Sequence, residues 1–302
     1  MDIPNPAGKT LIRFSVVIPS LNSHTVGQTI VSLLAQTTPP YEIIVVGLDP
    51  YNLIFDSERI HFDCTEIPFP PGKARNRGAA KADGDILVFI DADCIARPNW
   101  LGILAERFAD PAVAVVGGGV AIHSSNYWTL SDNISMFHEY LPSKPPGTRK
   151  QLPSINLAVR RQTFLDIGRF DEERRTGEDS DLTIRLQLKG HTLFFEPSAV
   201  VEHVPTRDSL TELISHNYLH GQQSVKFDPR YGDQDGLYRL FRTKWGMILA
   251  SPFLAAGVTT RIFLSDQSLW RYWYTAPAIF LAKMAWCFGA ATRPHGNRSQ
   301  SV

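Results

Sequence analysis

Two aspartates, Asp91 and Asp93, end the apolar run GDILVFI and are separated by a single residue. Carboxylates on alternate residues of an extended chain point to opposite sides, so both can approach one cation only where the chain turns. Hard divalent cations prefer oxygen ligands, and Mg²⁺ is commonly held by carboxylates together with substrate phosphate oxygens. The pair therefore indicates a metal that holds a diphosphate, and the alternative is a solvated turn.

A cluster of cations precedes the two aspartates. The segment PPGKARNRG contains Lys73, Arg75 and Arg77. Ammonium and guanidinium groups beside a metal site suit a polyanionic ligand, because they donate charge-assisted hydrogen bonds to phosphate oxygens. The alternative, which applies most to Arg77, is a solvated helix face.

The segment TGEDSDL, residues 176–182, brings three carboxylates to the start of a predicted helix. One interpretation is helix capping and dipole matching, which Glu178 or Ser180 could provide. The other is a general base, for which Asp179 is the candidate. Neighbouring like charges and partial burial can raise the pKa of such a carboxylate toward useful basicity.

The elements that must position these residues alternate in type. Apolar runs without polar interruption predict strands buried on both faces, and helical spacing predicts helices between them. The predicted strands are 14–18, 42–46, 84–90 and 113–116. The predicted helices are a stretch with apolar residues at helical spacing from 26 to 34 that ends before Pro39, and the segments 73–81 and 100–108. This alternation predicts an α/β fold with a mostly parallel central sheet flanked by helices. Ligands of such sheets bind beyond the carboxyl ends of the strands, where Asp91 and Asp93 lie.

The middle and the end of the chain differ from this pattern. Residues 126–151 are rich in Pro, Ser and Lys and predict a mobile loop, whereas 164–167 and 181–188 look helical. The segments 245–264 and 272–291 are apolar and aromatic, and each is about as long as a bilayer is thick. Each also contains a cation and a proline. We expect helices that lie in or dip into a membrane surface, and the alternative is a buried core hairpin.

Composition narrows the class of protein. Of 302 residues, 30 are Lys or Arg and 30 are Asp or Glu, so no global field attracts nucleic acid. The three cysteines form no CxxC pair, which argues against a disulfide framework or a zinc site and suits a reducing, cytosolic environment. The first residues lack the apolar core of a signal peptide.

Five ordered motifs resemble the family 2 inverting glycosyltransferases. They are SVVIPSLN, EIIVV, GKARNRGAAKADGDILVFIDADC, INLAVRR and GRFDEERRTGEDSDLTIRLQLKG. The resemblance covers roughly residues 14–205 and implies the GT-A fold. We therefore expect an N-terminal extension at 1–13, a GT-A domain at 14–235 and a membrane-associated helical region at 236–302.

The resemblance also assigns roles in donor binding. Pro19 and Asn22 match the loop beneath the nucleotide. Lys73, Arg75 and Asn76 match the segment that closes over the base and the diphosphate.

Further roles follow for the second half of the pattern. Asp91 and Asp93, the DXD motif, match the pair that binds metal and donor. Asn156 matches the loop near the donor sugar and acceptor, and Arg160 and Arg161 lie at its end on the acceptor or phosphate side.

The remaining matches concern the base and a third metal ligand. Glu178 and Asp179 match the acidic pair in which the aspartate is the catalytic base. His203 matches a position that supplies a metal ligand in some relatives, although a lone histidine is equally compatible with a structural role. One departure is the stretch Gly47-Leu48-Asp49-Pro50, where the family usually has an Asp-Asp-Gly-Ser type sequence. Asp49 is then the candidate for the nucleobase contact, and the choice between uracil and guanine stays open.

The resemblance implies a Mg²⁺- or Mn²⁺-dependent transfer of a sugar, with inversion, from a UDP- or GDP-linked donor to an acceptor hydroxyl. We expect a saccharide or lipid-linked acceptor in cell-surface polysaccharide or glycolipid synthesis, at the cytoplasmic face of the cell membrane. One alternative is a sugar nucleotidyltransferase, which needs a Gly-rich phosphate loop that PSLNSHTVG does not provide. The other is a non-catalytic membrane-bound relative, against which the intact Asp91, Asp93 and Asp179 argue.

Overall fold

The computed structural model describes residues 12–122, 124, 126–231 and 243–293, which form two compact units. The first contains the described residues up to 122 together with Glu139–Thr206. The second contains those from 124 to 138 together with those from Arg207 onward. The domain boundary predicted at 235/236 and nearly all of the predicted N-terminal extension lie outside the described residues.

A nine-stranded sheet forms the centre of the first unit. Its strands are β1 (Phe14–Leu21), β2 (Glu42–Leu48), β3 (Ile60–Cys64), β4 (Ile86–Ile90), β5 (Cys94–Ala96), β6 (Val115–Ile122), β7 (Gly147–Thr148), β8 (Asn156–Arg160) and β9 (Leu193–His203). The spatial order is β3-β2-β1-β4-β8-β6-β9-β5, and β7 pairs with β9.

The sheet is parallel in one half and mixed in the other. Strands β1 to β4 run parallel to one another, as the sequence predicts. Strand β8 runs antiparallel to both of its neighbours, β4 and β6. Strand β9 is parallel to β6 and antiparallel to β5 and β7. The predicted α/β class is confirmed, with a sheet that is mixed beyond β4.

Helices flank the sheet and build the second unit. They are α1 (Val26–Leu34), α2 (Pro71–Lys81), α3 (Trp100–Phe108), α4 (Tyr127–Phe137), α5 (Arg161–Asp166), α6 (Glu178–Leu188), α7 (Leu210–Gln222), α8 (Lys244–Leu264) and α9 (Ala276–Ala291). The runs that predicted strands β1, β2 and β4 are almost fully buried, because helices cover both faces. Phe89 of β4 packs on Phe164 and Phe170 in the core.

The prediction of a mobile loop over 126–151 is wrong in its first half. Helix α4 begins after Asn126, whose side chain accepts hydrogen bonds from the backbone N–H groups of Trp128 and Thr129 at 2.8 and 3.0 Å. This is the ordinary chemistry of an asparagine N-cap. The polar composition is misleading, because Asp132 and Asn133 are buried within the second unit.

The apolar tail forms a helical pair in the second unit. Helix α8 matches the predicted 245–264 and, among the described residues, is the helix long and apolar enough to cross a membrane by length and composition. The second predicted segment is divided into a 3₁₀ segment, Gln267–Thr275, and the shorter α9. Helix α9 is largely buried, as a core hairpin requires, whereas α8 exposes Trp245, Leu249 and Phe253. The membrane-surface interpretation stays a prediction.

Candidate active site

The two aspartates of the DXD motif lie where β4 ends and the chain turns. The backbone N–H of Cys94 donates to the Asp91 carbonyl at 3.1 Å, which closes this turn. The carbonyl of Ala92 accepts hydrogen bonds from the hydroxyls of Ser23, Thr25 and Thr29, each at 3.0 Å. Sequence analysis missed these three hydroxyls, which hold the turn from the segment after β1. Their spacing carries no recognisable signal.

His203 lies beside Asp93. Strand β5 starts directly after the aspartates, and its Cys94 pairs in register with His203 at the end of β9. His203 Nε2 is 3.5 Å from Asp93 Oδ2. The two side chains therefore approach each other from the ends of neighbouring strands, although they lie 110 positions apart in the sequence.

Arg75 joins the DXD motif to the acidic pair of α6. Its guanidinium donates to Asp91 Oδ1 at 2.6 Å and to Glu178 Oε1 at 2.6 Å. Arg75 is 3% exposed, so it has no surface to offer a diphosphate in this conformation. Arg75 therefore bridges two carboxylates, and its predicted direct contact with the diphosphate stays a prediction. Burial raises the pKa of Glu178 to about 7, against the opposing charge of Arg75.

Asp179 is held by backbone donors at the start of α6. Its Oδ2 accepts from the Ser154 N–H at 3.2 Å, and its Oδ1 accepts from its neighbour Ser180 at 2.6 Å. Gly177 precedes the helix at φ 74°, in the left-handed region that glycine adopts without strain. Burial raises the pKa of Asp179, although Ser154 and Arg75 oppose the shift. A carboxylate with a raised pKa is a better proton acceptor than an ordinary aspartate.

Three predicted donor-binding residues lie around the ends of β1 and β2. Pro19 lies within β1, and Asn22 follows that strand at φ 53° with its side chain exposed. Asp49 follows β2, and its Oδ2 accepts from the Ile54 N–H at 2.8 Å. Asp49 Oδ1 is buried without a hydrogen-bond partner in the protein. A buried acceptor in this state is available to a donor group on a ligand.

Lys73 and Asn76, both on α2, differ in their surroundings. Lys73 is partly buried, with Nζ 4.4 Å from the centre of the Phe69 ring. Asn76 is buried and hydrogen-bonded on both sides of its amide to the backbone of Phe170, at 2.9 and 3.0 Å. Its amide also donates to Glu172 at 3.0 Å. Asn76 therefore fixes the segment before α6, and it offers no free group to a nucleotide.

Asn156 is also a structural link. Its side chain accepts from Trp100 Nε1 at 2.9 Å and donates to the carbonyls of Gly119 and Ala199 at 2.9 and 2.8 Å. Both of its amide hydrogens are donated inside the protein, its oxygen accepts one hydrogen bond there, and the residue is 1% exposed. The contact of this segment with the candidate base is the Ser154 backbone N–H, which the sequence did not indicate.

Arg160 and Arg161 lie at the opposite edge of the sheet, which corrects their predicted place in the site. Asn156 pairs with Ile90, next to Asp91, whereas Arg160 pairs with Ile86 at the other end of β4. Four residues of strand separate these ends by about 14 Å. The Arg160 guanidinium instead donates to the carbonyls of Val113 and Phe108 at 2.8 and 2.9 Å.

The donors at the DXD turn fit a divalent cation that a substrate helps to hold. Asp93 and His203 place a carboxylate oxygen and a ring nitrogen 3.5 Å apart, and Asp91 begins the same turn. Among the described residues, no group of three His, Cys, Asp or Glu side chains is arranged as a complete metal site. An incomplete protein shell is expected where phosphate oxygens and water complete the coordination.

Comparison with known proteins is consistent with this geometry. Residues 12–218 match the model of the family described as "Glycosyltransferase like family 2". The chain is 32% identical over 170 residues to a pre-mycofactocin glycosyltransferase of Mycobacterium tuberculosis, covering 54% of this chain and 36% of the relative. It therefore spans about a third of the length of that relative. It is 27% identical over 228 residues to glycosyltransferase AglE of Haloferax volcanii, covering 72% of this chain and 74% of that protein.

Solved structures support the fold. The mannosyltransferase PcManGT from Pyrobaculum calidifontis, solved in complex with GDP-Man and Mn²⁺, aligns with a TM-score of 0.56 at 16% identity, over 93% of this chain and 88% of that one. GalNAc-T7, solved with UDP, GalNAc and Mn²⁺, aligns with a TM-score of 0.51 at 18% identity, over 76% of this chain and 53% of that one. The first unit has the GT-A fold, and the chain belongs to glycosyltransferase-like family 2.

Proposed function

We propose that the chain transfers a sugar from a nucleotide-diphosphate sugar to an acceptor hydroxyl, with inversion at the anomeric carbon. The observation that carries this proposal is the bridge formed by Arg75. It ties Asp91, at the DXD turn, to Glu178, the neighbour of Asp179. A leaving-group site and a candidate base therefore belong to one hydrogen-bonded assembly, as a single displacement at the sugar requires.

Asp179 is the proposed general base. In the reaction, the acceptor hydroxyl loses its proton to the Asp179 carboxylate, and the oxygen bonds to the anomeric carbon. The bond from that carbon to the diphosphate oxygen breaks, and its electron pair leaves with the nucleoside diphosphate. Ser154 and Ser180 orient the carboxylate through their N–H groups. General-base catalysis of this kind contributes about 10²–10⁴ in rate.

The DXD turn is the proposed leaving-group site. Asp93 and His203, with Asp91, would hold Mg²⁺ or Mn²⁺, and Mn²⁺ accompanies the nucleotide in both structural neighbours. When bound, the ion acts as a Lewis acid on the departing diphosphate. Lys73 is the remaining candidate among the predicted cations for a direct phosphate contact, because Arg75 donates to two carboxylates and Arg77 donates to Asp63.

Asp49 is the proposed nucleobase contact. Its Oδ1 is buried and lacks a partner in the protein, and a donor on the base would satisfy it. Uracil and guanine both present a ring N–H, so this contact suits a UDP- or a GDP-linked donor. Pro19 and Asn22, at the end of the neighbouring strand β1, are proposed to lie beneath the nucleotide.

The proposed acceptor is a saccharide or a lipid-linked saccharide, and the proposed place of action is the cytoplasmic face of the cell membrane. A glucosyl-dolichyl phosphate glucuronosyltransferase of Haloferax volcanii is 26% identical over 243 residues, covering 70% of this chain and 76% of that protein. Its name specifies a lipid-linked acceptor. The exposed apolar residues of α8 also favour a membrane location.

A thermal-shift screen of nucleotide sugars, with and without Mn²⁺, tests the donor assignment. A ligand that binds only the folded state raises the melting temperature. Asp93→Ala should abolish the Mn²⁺-dependent shift and nearly all transfer. Asp179→Asn should keep the shift while turnover falls. Release of pyrophosphate would instead identify a nucleotidyltransferase, and turnover that is unchanged in Asp93→Ala would refute the metal role.

A further inference from the structure

Helix α8 has the reverse of the amphipathic pattern of a water-soluble helix. Its exposed face carries large apolar side chains, with Trp245 70%, Leu249 74%, Phe253 80% and Leu264 74% exposed. These four residues, here called the α8 stripe, recur at spacings of one or three helical turns and so share one face. The buried face carries Met247, Ser251, Ala255, Thr259 and Ile262.

This reversal indicates that water does not cover the stripe in the working protein. A helix on a water-soluble core turns its large apolar residues inward, because their burial drives the packing. Here three of the five residues that face the protein are small or hydroxyl-bearing, with Met247 and Ile262 as the larger apolar ones, and the most exposed residues are large and apolar. Small residues at the packed face with large apolar residues outside are typical of helices whose surroundings are lipid.

The 3₁₀ segment after α8 adds aromatic residues of the kind found at membrane interfaces. Trp270, Trp273 and Tyr274 are 55%, 73% and 46% exposed. The Trp270 indole already donates to the Phe263 carbonyl at 2.8 Å, so its polar atom is satisfied without water. Amphipathic rings of this type favour the headgroup region of a bilayer.

The charge of this region is complementary to anionic headgroups. The described residues 244–293 include five cations and a single acidic residue, whereas the whole chain has equal numbers of both signs. Lys244, Arg261 and Arg271 are exposed. Lysine and arginine side chains near an anionic leaflet are attracted to its headgroups.

The packing of α9 decides between lying on the membrane and crossing it. Helix α7 runs along α9, since Leu213 packs with Ala278 and Ala282, and Gly289 lies against the backbone of Tyr218. A Cβ on Gly289 would collide with the Tyr218 carbonyl, so the two helices touch backbone to backbone. Helix α9 is therefore covered along most of its length by α7.

Helix α7 carries a buried polar network that does not suit hydrocarbon. Asp132 of α4 is 2% exposed and accepts from His216 Nδ1 and Asn217 Nδ2, both at 2.9 Å, and from Arg207 Nε at 3.2 Å. On α9 itself, Lys283 Nζ donates to the Ser135 carbonyl at 2.9 Å. Ionised groups at bilayer depth are costly, so α7, α9 and α4 belong outside the hydrocarbon.

We propose that the α8 stripe inserts into one leaflet of an anionic bilayer, with α8 parallel to the membrane plane. The occupant of the exposed face is lipid, and the helix does not span. The proposal deepens the membrane location given above and names the surface that makes it. About 28 Å of helix separates Trp245 from Leu264, and in this orientation all of it lies at one depth.

Labelling depth separates the two orientations. In the full-length chain with Cys64→Ser, single variants Trp245→Cys, Leu249→Cys, Phe253→Cys and Leu264→Cys carry an environment-sensitive fluorophore. Vesicles of phosphatidylcholine and phosphatidylglycerol contain quenchers at defined depths. We expect all four labels to report the same shallow depth. A deep label at residue 253 with shallow labels at 245 and 264 would show a spanning helix and overturn the proposal.

Vesicle flotation tests whether lipid is the partner. Leu249→Glu combined with Phe253→Glu should reduce binding about ten-fold or more, because two large apolar side chains leave the leaflet. The matched control, Ile67→Glu combined with Leu188→Glu, changes residues that are 63% and 65% exposed in the first unit and should bind as the parent does. Circular dichroism confirms folding of both.

Two outcomes would contradict the lipid assignment. If the parent does not float but sediments as an oligomer, and the α8 variant sediments as a monomer, a second copy of the chain covers the α8 stripe. If the control loses binding as much as the α8 variant does, the attraction is unspecific. The donor-induced thermal shift should be the same in all three proteins. If the parent shows no such shift, that result counts against the proposed function but does not affect the membrane proposal.

Discussion

Replacing Arg75 with methionine should destabilise the first unit in a pH-dependent way. The side chain is buried and donates to Asp91 and Glu178. Methionine fills much of the volume but leaves Glu178, which is 5% exposed, without its cation. Removing one partner of a buried ion pair costs about 3–5 kcal/mol. Asp91 contributes little of this, because 32% of its side chain remains exposed to water.

Protonation of Glu178 limits the loss at lower pH. Burial already raises the pKa of Glu178 to about 7, and loss of Arg75 raises that pKa further. A carboxyl group with a raised pKa in the folded state stabilises the fold at low pH, and this contribution is lost as pH rises through the folded pKa. We therefore expect Arg75→Met to cost about 3 kcal/mol or more at pH 8 and clearly less at pH 6.

Urea denaturation at the two pH values measures both quantities. Arg13→Met is the matched control, since its ion pair with Asp85 is exposed at 45% and 48% of the two side chains and should contribute about 1 kcal/mol or less. Adding Glu178→Gln to Arg75→Met should recover part of the loss, because the uncompensated carboxylate is removed. If Arg75→Met costs no more than Arg13→Met, or costs the same at both pH values, the bridge is not what stabilises the site.

Three further predictions concern the base, the nucleobase contact and the cap of α4. Since burial raises the pKa of Asp179, the acid limb of the pH profile of kcat/KM should lie above the ordinary aspartate pKa of about 3.9, with activity lost as pH falls through it. Asp49→Asn should weaken donor binding about ten-fold in calorimetry while leaving the melting temperature of the apoprotein nearly unchanged, because the Oδ1 acceptor changes and the Ile54 contact can persist. Asn126→Ala should lower the free energy of unfolding by about 1 kcal/mol in chemical denaturation, since two backbone donors lose their acceptor.

The strands of the parallel half were predictable from sequence because their short, uninterrupted apolar runs are typical of strands that are buried on both faces. Strand β4 is buried at every position, and ILVFI contains no polar residue that could face water. Helix α3 matches its prediction at both ends, since Trp100, Leu101 and Leu104 form one buried face. Where a segment is buried on all sides or on one regular face, its pattern and its environment carry the same information.

The prediction that Arg160 and Arg161 lie near the site failed because a short apolar run does not indicate the direction of its strand in the sheet. In a parallel sheet, the residues after β8 would lie at the same edge as Asp91. Strand β8 runs antiparallel to β4, which brings its first residue, Asn156, to that edge. Local sequence gives the strand, whereas its direction follows from pairing with β4 and β6 on both sides.

The bridge that Arg75 forms between two carboxylates could not be predicted, for a similar reason. The chain placed a cation near the DXD motif, and a phosphate ligand was the natural partner to expect. Its partner Glu178 lies 103 residues further along and reaches Arg75 only because α6 begins there. Contacts of this kind depend on tertiary geometry, which residue types and spacing do not encode.

The electrostatics of the assembled site favour the cation proposed to bind there. Asp91, Asp93, Glu178 and Asp179 bring four carboxyl groups together, and Arg75 provides the buried counter-charge. The negative charge of Asp91 also contributes to the raised pKa of Asp179, so the neighbouring carboxylates make the candidate base easier to protonate. Carboxylates held this close are costly to the fold, and nothing in the core requires them. That cost is expected at a site selected for chemistry, and it is consistent with the proposed base and the proposed divalent cation acting together.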